Sequence, residues 1–204
     1  MTAQLDRPET LALDRQAQDL LFRDARTANT FSDEPVSDDA VRAIYELIKW
    51  APTSMNSQPL RIVLVRTPQA RERLVGHLIE SNRAKTASAP LTAILAADTS
   101  FHEHLPQVFP HAPQAKDYFA DDAVRHDAAT FNAALQVGYF VLGVRAAGLA
   151  AGPMTGFDRA GVDADFFADG RHRSLAVVNI GNPGPDAWFA RNPRLDYDQV
   201  VETV

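Results

Sequence analysis

Cysteine is absent from all 204 residues. That excludes a disulfide framework, thiolate ligation of zinc or an iron–sulfur cluster, and a thiol nucleophile. Excess positive charge is lacking too. The 20 Lys and Arg against 26 Asp and Glu give a formal charge of −6, a poor match for polyanionic nucleic acid. No uncharged run of membrane length is present. The best candidate, residues 133–152, carries Gln136 and Arg145 and is mostly Ala and Gly. An arginine deep in lipid costs at least about 2.5 kcal/mol, so this stretch reads as a buried core helix, with no membrane partner expected. Residues 1–7 show neither the basic start nor the apolar run of a secretory signal. The expectation is a soluble cytoplasmic protein. Finally, G-x-G-x-x-G, G-x-x-x-x-G-K-[ST] and G-x-S-x-G are all missing, which removes the dinucleotide fingerprint, the P-loop and the hydrolase elbow.

A chain of this size buries roughly 70% of its unfolded surface and needs no staple. It reads as a single α+β domain over residues 1–204, with residues 1–10 a loose, polar N-terminal arm. Helical spacing covers Leu11–Arg23, with Leu13, Ala17, Leu20 and Leu21 on one side. Residues 24–31 hold too few apolar residues for a core element. A helix follows Ser37, acidic at its start, with Val41, Ile44, Tyr45 and Ile48 as its stripe and Ala51-Pro52 as its stop. Residues 60–65 and 91–97 are apolar strands; between them a helix starts at Pro68 and turns Leu74, Leu78 and Ile79 inward. Residues 98–122 have no period, only Pro, His and aromatic residues, and read as a lid or binding loop. The helix of about residues 123–147 is apolar on nearly every face, so protein is expected all around it, and Gly148 ends it. A short helix over 158–167 and a strand over 174–181 complete the pattern.

Three histidines lie in the aperiodic segment, in His102-Glu103-His104 and at His111. Imidazoles and carboxylates can hold a metal, but the i, i+2 spacing is not that of a helical zinc motif. Solvated loop histidines are the simpler reading, and no metal is expected. Phe101, Phe109 and Phe119 either shape a pocket or pack a core.

Four segments carry the chemistry when taken together: residues 52–59 (PTSMNSQP), 82–85 (NRAK), 152–158 (GPMTGFD) and 191–194 (RNPR). In this order and spacing the chain resembles the nitroreductase family of FMN-dependent oxidoreductases from about residue 22 to residue 201. Residues 24–27 (DART), 49–54 (KWAPTS) and 152–158 (GPMTGFD), with 105–106 (LP) and 109–111 (FPH), bring it nearest the malonic semialdehyde reductase, or 3-hydroxypropionate dehydrogenase, subgroup of pyrimidine degradation.

The resemblance implies a nitroreductase-like α+β fold, a central mixed sheet flanked by helices, in an intertwined homodimer. It implies FMN as cofactor and NADH or NADPH as co-substrate. The flavin phosphate, with nearly two negative charges, favours guanidinium forks, and Arg26, Arg191 and Arg194 match that role, with Thr27 and Asn29 beside them. Taken alone, each reads as a surface arginine. Pro153, Met154, Thr155 and Gly156 match the bed of the flavin ring, with a backbone N–H of Thr155 or Gly156 toward N5. Lys85 matches the lysine beside the N1–C2=O edge, where a cation stabilises the reduced ring, and Asn82 the partner of the pyrimidine edge. Lys85, Thr155 and Gly156 are therefore the expected catalytic groups. Pro52, Thr53, Ser54 and Asn56 match residues that the second subunit offers to the flavin. One departure stands out: Asn29 occupies the place of a second basic residue, which removes a positive charge from that side of the site. The implied reaction passes hydride from the nicotinamide through the flavin to malonic semialdehyde. A broad nitro or quinone reductase and a flavin-binding protein without turnover remain the alternatives.

Overall fold

A computed structural model describes residues 11–204; the expected arm over 1–10 lies outside the described residues. Helices are α1 (Arg15–Gln18), α2 (Asp38–Ile48), α3 (Pro68–His77), α4 (Glu80–Ser88), α5 (Leu105–Val108), α6 (Asp122–Ala146), α7 (Arg159–Phe166) and α8 (Tyr197–Val200). Strands are β1 (Leu60–Val65), β2 (Leu91–Asp98), β3 (Ala150–Met154) and β4 (His172–Gly181).

Side-chain caps start most helices. Ser37, Thr67, Asp121 and Asp158 each accept a first-turn N–H, for α2, α3, α6 and α7. Pro68 stands at the start of α3, where its missing N–H has no cost. Gly148, at φ 76°, turns the chain out of α6.

The sheet runs β1-β2-β4-β3. All three pairings are antiparallel, which corrects the expected mixed sheet. Helices cover both faces. Leu91, Ala93, Leu95, Val178 and Ile180 pack with Ile44, Phe140 and Val144 of α2 and α6. Ile94, Ala96 and Val177 pack with Leu74 and Val162 of α3 and α7. With both faces buried, β2 reads as one unbroken apolar run rather than as an alternation.

Several elements differ from the sequence reading. The helix expected over 11–23 starts at Arg15, because Asp14 caps Ala17, and its second half is a π-helical turn. Residues 24–31 are irregular, yet Ala28 and Phe31 are buried in a small core cluster of their own. Tyr45 and Ile79 face solvent rather than the core; Leu78 ends α3 in extended backbone, and that reverses Ile79. The aperiodic segment 98–122 is not structureless. Two 3₁₀ turns and α5 bury Phe101, Leu105 and Ala115 against α6. The helix expected to be surrounded leaves Phe131 66% exposed. Among the described residues, no helix is long and apolar enough to cross a membrane.

Candidate functional site

β3 is an edge strand, and residues 28–31 run along its open side. The Ala28 N–H donates to Ala151 O at 3.2 Å, and the Asn29 N–H donates to Ala187 O at 3.0 Å. Distant parts of the chain are cross-tied here by arginines. Arg26 Nη1 donates to Phe189 O at 3.2 Å; Arg191 Nη2 donates to Arg23 O and to Ala25 O. Between them opens a cavity of about 240 Å³, lined by Arg26, Thr27, Asn29, Arg191, Asn192 and Arg194 among others. Three sequence-predicted arginines and both polar neighbours therefore meet, although Arg194 donates only to the carbonyls of Asn192 and Pro193.

Among the described residues, Arg26, Arg191 and Arg194 have no carboxylate within 4 Å. Neither does Arg145 of α6, which with Arg26 lines the adjoining cavity. Burial first, and then the Arg191 charge, pushes the Arg145 pKa down. Its Nε is buried without a partner. Asp19 and Asp24 also line that adjoining cavity and offset part of the charge; an anion among Arg26, Arg191 and Arg194 offsets more of it. A phosphate dianion suits the donor set, since forked N–H groups match its oxygens.

The expected ring bed lies where β3 runs into α7. Gly156 O accepts from Ile79 N and from Asn82 Nδ2, both at 3.1 Å. A Cβ on Gly156 would lie 2.5 Å from Ile79 Cδ1 and 2.9 Å from Asn82 Nδ2, so a larger residue would push aside Ile79 and the Asn82 amide. Asn82, buried in α4, thus spends an amide hydrogen on orienting the 154–156 backbone. The N–H groups of Thr155 and Gly156 donate to no acceptor among the described residues, which leaves donors at a partly open surface. Lys85 lies one turn after Asn82, half-buried and without an ion pair among the described residues. A buried polar chain fixes this corner. Thr92 Oγ1 donates to Asn179 Oδ1 (2.9 Å), Asn179 Nδ2 donates to Thr86 Oγ1 (3.0 Å), and Thr86 Oγ1 lies 3.7 Å from Met154 Sδ. Pro153 and Met154 complete the strand that carries the segment.

Pro52, Thr53, Ser54 and Asn56 are elsewhere. Their loop leads into β1, the opposite edge of the sheet from β3. Three strand spacings of about 4.8 Å separate those edges by roughly 14 Å, so the fold does not unite them with the other site residues within one chain. The loop is strained: Met55, Asn56 and Gln58 have φ of 51°, 52° and 44°, a conformation costing about 1 kcal/mol or more for each non-glycine residue. Asn56 Nδ2 donates to Val108 O at 2.8 Å, tying the loop to the lid.

In the lid, Phe101 is fully buried with Phe119 against it, ring centroids 4.9 Å apart, so Phe101 packs a core and lines no pocket. The described residues contain no group of three or more His, Asp or Glu arranged to hold a metal. His102 has a buried, unpartnered Nδ1. Burial, and then the Arg125 charge, lowers its pKa, against the opposing pull of Glu103 and Asp98. His111 tilts against Phe109, centroids 3.9 Å apart.

Solved structures share this fold. A Bacillus subtilis structure superposes with a TM-score of 0.80 at 21% identity, covering 90% of this chain and 97% of its own. An Exiguobacterium sibiricum structure, solved in complex with FMN, gives 0.83 at 16% identity, covering 95% and 98%. Such identities establish a shared fold, the nitroreductase α+β architecture. Sequence establishes the kinship: the nitroreductase family profile matches residues 23–182, and the chain belongs to that family, whose members use FMN with NAD(P)H. A Streptomyces coelicolor relative, provisionally named an NADH dehydrogenase/NAD(P)H nitroreductase, is 66% identical over 196 residues, 96% of this chain and all of its own.

Arg145 was not among the sequence-predicted site residues. In sequence it shows only as a charge interrupting an apolar helix, and that isolation was the available signal.

Proposed function

We propose that this chain is an FMN-dependent NAD(P)H oxidoreductase whose two sites are each built by two copies of it. The observation that carries the reading is the group of four arginines around the β3 edge, none with a carboxylate within 4 Å among the described residues. Arg26, Arg191 and Arg194 hold the phosphate, and Thr27 and Asn29 add hydrogen bonds at its rim. Pro153, Met154, Thr155 and Gly156 form the bed of the ring, which Asn82 fixes in position. The chemistry FMN supplies when bound is storage of a hydride between NAD(P)H and an oxidised substrate. Lys85 contributes a fixed positive charge beside the ring, and the free N–H groups of Thr155 and Gly156 contribute oriented donors. Pro52, Thr53, Ser54 and Asn56 serve the site of the second copy, which is why the fold leaves them on the far edge. Large apolar groups left exposed on α2, α6 and the chain beyond β4, among them Leu47, Trp50, Phe131 and Phe189, supply the surface that a homodimer buries.

The substrate we propose is malonic semialdehyde, reduced to 3-hydroxypropionate; hydride adds to the aldehyde carbon and a solvent proton to its oxygen. The subgroup segments over 24–27, 49–54, 105–106, 109–111 and 152–158 support this choice. A broad nitroreductase is the second reading, favoured by the name of the 66% identical relative. Steady-state turnover of the aldehyde and of a nitroarene, with NADH and with NADPH, separates them. Faster aldehyde turnover supports the first reading, and markedly faster nitroarene turnover overturns it.

A further inference from the structure

The strained loop over 52–58 is held from inside and from outside. Within it, Asn56 and Ser57 N–H groups donate to Thr53 O and Ser54 O, Thr53 Oγ1 accepts from Gln58 N at 3.2 Å, and Gln58 Nε2 donates to Asn56 Oδ1 at 2.9 Å. Outside it, besides the Asn56 bond to Val108 O, the support comes from one stripe of α6. Asn132 Oδ1 accepts from Ser54 N at 2.7 Å. Gln136 Oε1 accepts from Leu60 N at 2.9 Å. Tyr139 Oη donates to Pro52 O at 3.1 Å. These positions are i, i+4 and i+7, so they lie on one helix face, and they engage backbone at the start, middle and end of residues 52–60. Asn132 is itself oriented, because its Nδ2 donates to Ala128 O at 2.9 Å, and it is only 3% exposed. Tyr139 and Gln136 also line a small cavity with Gln58.

An apolar core helix has no packing reason to carry three polar side chains along one face. Two of them engage the backbone of the loop itself, and Gln136 engages Leu60, where the loop passes into β1. We infer that Asn132, Gln136 and Tyr139 are positioning residues that hold residues 52–58 in the shape presented to the flavin of the second copy. This rests on the flavin reading above and names the groups on which its intersubunit half depends. None of the three touches the cofactor. They act through the backbone of Pro52, Ser54 and Leu60, and hold three non-glycine residues at positive φ.

The test uses the full-length dimer and four variants: Asn132→Leu, Gln136→Leu, Gln136→Glu and Tyr139→Phe. Two readouts are taken, the FMN dissociation constant by fluorescence and the hydrogen exchange of the Ser54 and Leu60 amides without flavin. Asn132→Leu is expected to expose the Ser54 amide and weaken FMN about tenfold, the effect of one lost bond to a buried donor. Gln136→Leu does the same at Leu60, whereas Gln136→Glu, which keeps the acceptor, restores both readouts. Tyr139→Phe weakens FMN by about threefold through a partly exposed bond. Should Asn132→Leu fail to fold, the Gln136 pair and Tyr139→Phe decide alone. Parent-like FMN affinity in Gln136→Leu and Tyr139→Phe overturns the inference while leaving the flavin reading intact. A parent protein that binds no FMN overturns both.

Discussion

Replacing Thr86 with valine exchanges one hydroxyl for a methyl at almost unchanged volume, at a position with no solvent exposure. The lost oxygen is the acceptor for Asn179 Nδ2 at 3.0 Å. Turning the Asn179 amide round does not compensate, because it only exchanges one unsatisfied group for another: Oδ1, which accepts from Thr92 Oγ1 at 2.9 Å, would then face the valine methyl. Asn179 and Thr92 are likewise fully buried, so no bulk water replaces the acceptor. The variant therefore leaves an N–H group unsatisfied in the interior, which costs about 1–3 kcal/mol. For a chain of this length each kcal/mol lowers Tm by roughly 2–4 °C, so a drop of about 2–12 °C is expected. Thermal unfolding at fixed protein concentration, without added flavin, measures it. Thr86→Ser is the control: it keeps the acceptor and loses only a methyl, worth about 1 kcal/mol. A Thr86→Val protein that melts within 1 °C (about 0.3 kcal/mol) of the parent would refute the claim that this polar chain fixes α4 to the sheet.

Further predictions concern the site. Arg26→Ala and Arg194→Ala each loosen FMN by about tenfold or more, the worth of one charge-assisted bond; unchanged dissociation constants count against the phosphate assignment. Lys85→Ala slows flavin reduction by NAD(P)H more than it weakens dimerisation, and equal reduction rates in variant and parent refute its electrostatic role. His102, whose pKa burial and Arg125 depress, binds its proton more readily in the unfolded chain. Below about pH 6.5 the unfolded state therefore takes up more protons and stability falls. His102→Gln flattens this loss between about pH 7 and 5, and a pH-stability profile identical to the parent's would show that His102 does not contribute.

The elements legible in sequence were those with a period, a capping signal or a plain apolar run: α2, α3, α6, α7, β1, β2 and β4. β3 was not, because residues 150–154 (AAGPM) have no β-branched residue and carry Gly and Pro. Proline is tolerated there because β3 is an edge strand. The segment over 98–122 hid its core residues for a related reason: single residues such as Phe101 and Leu105 are buried in short turns, which leave no periodicity. The arginine-lined cavity has no local signature at all. Arg26 and the Phe189 carbonyl it reaches lie 163 positions apart, and only the family resemblance placed those segments together. Arg145 and the polar stripe of α6 were visible as residues, but their meaning depends on which backbone groups the fold sets opposite them.

A crystal structure of the protein grown with FMN decides whether each flavin lies between two chains. The expected density places the phosphate among Arg26, Arg191 and Arg194, and the ring against residues 153–156. The 52–56 loop of a second copy should close the other side. Flavin enclosed by a single chain, or bound away from the β3 edge, would contradict that arrangement.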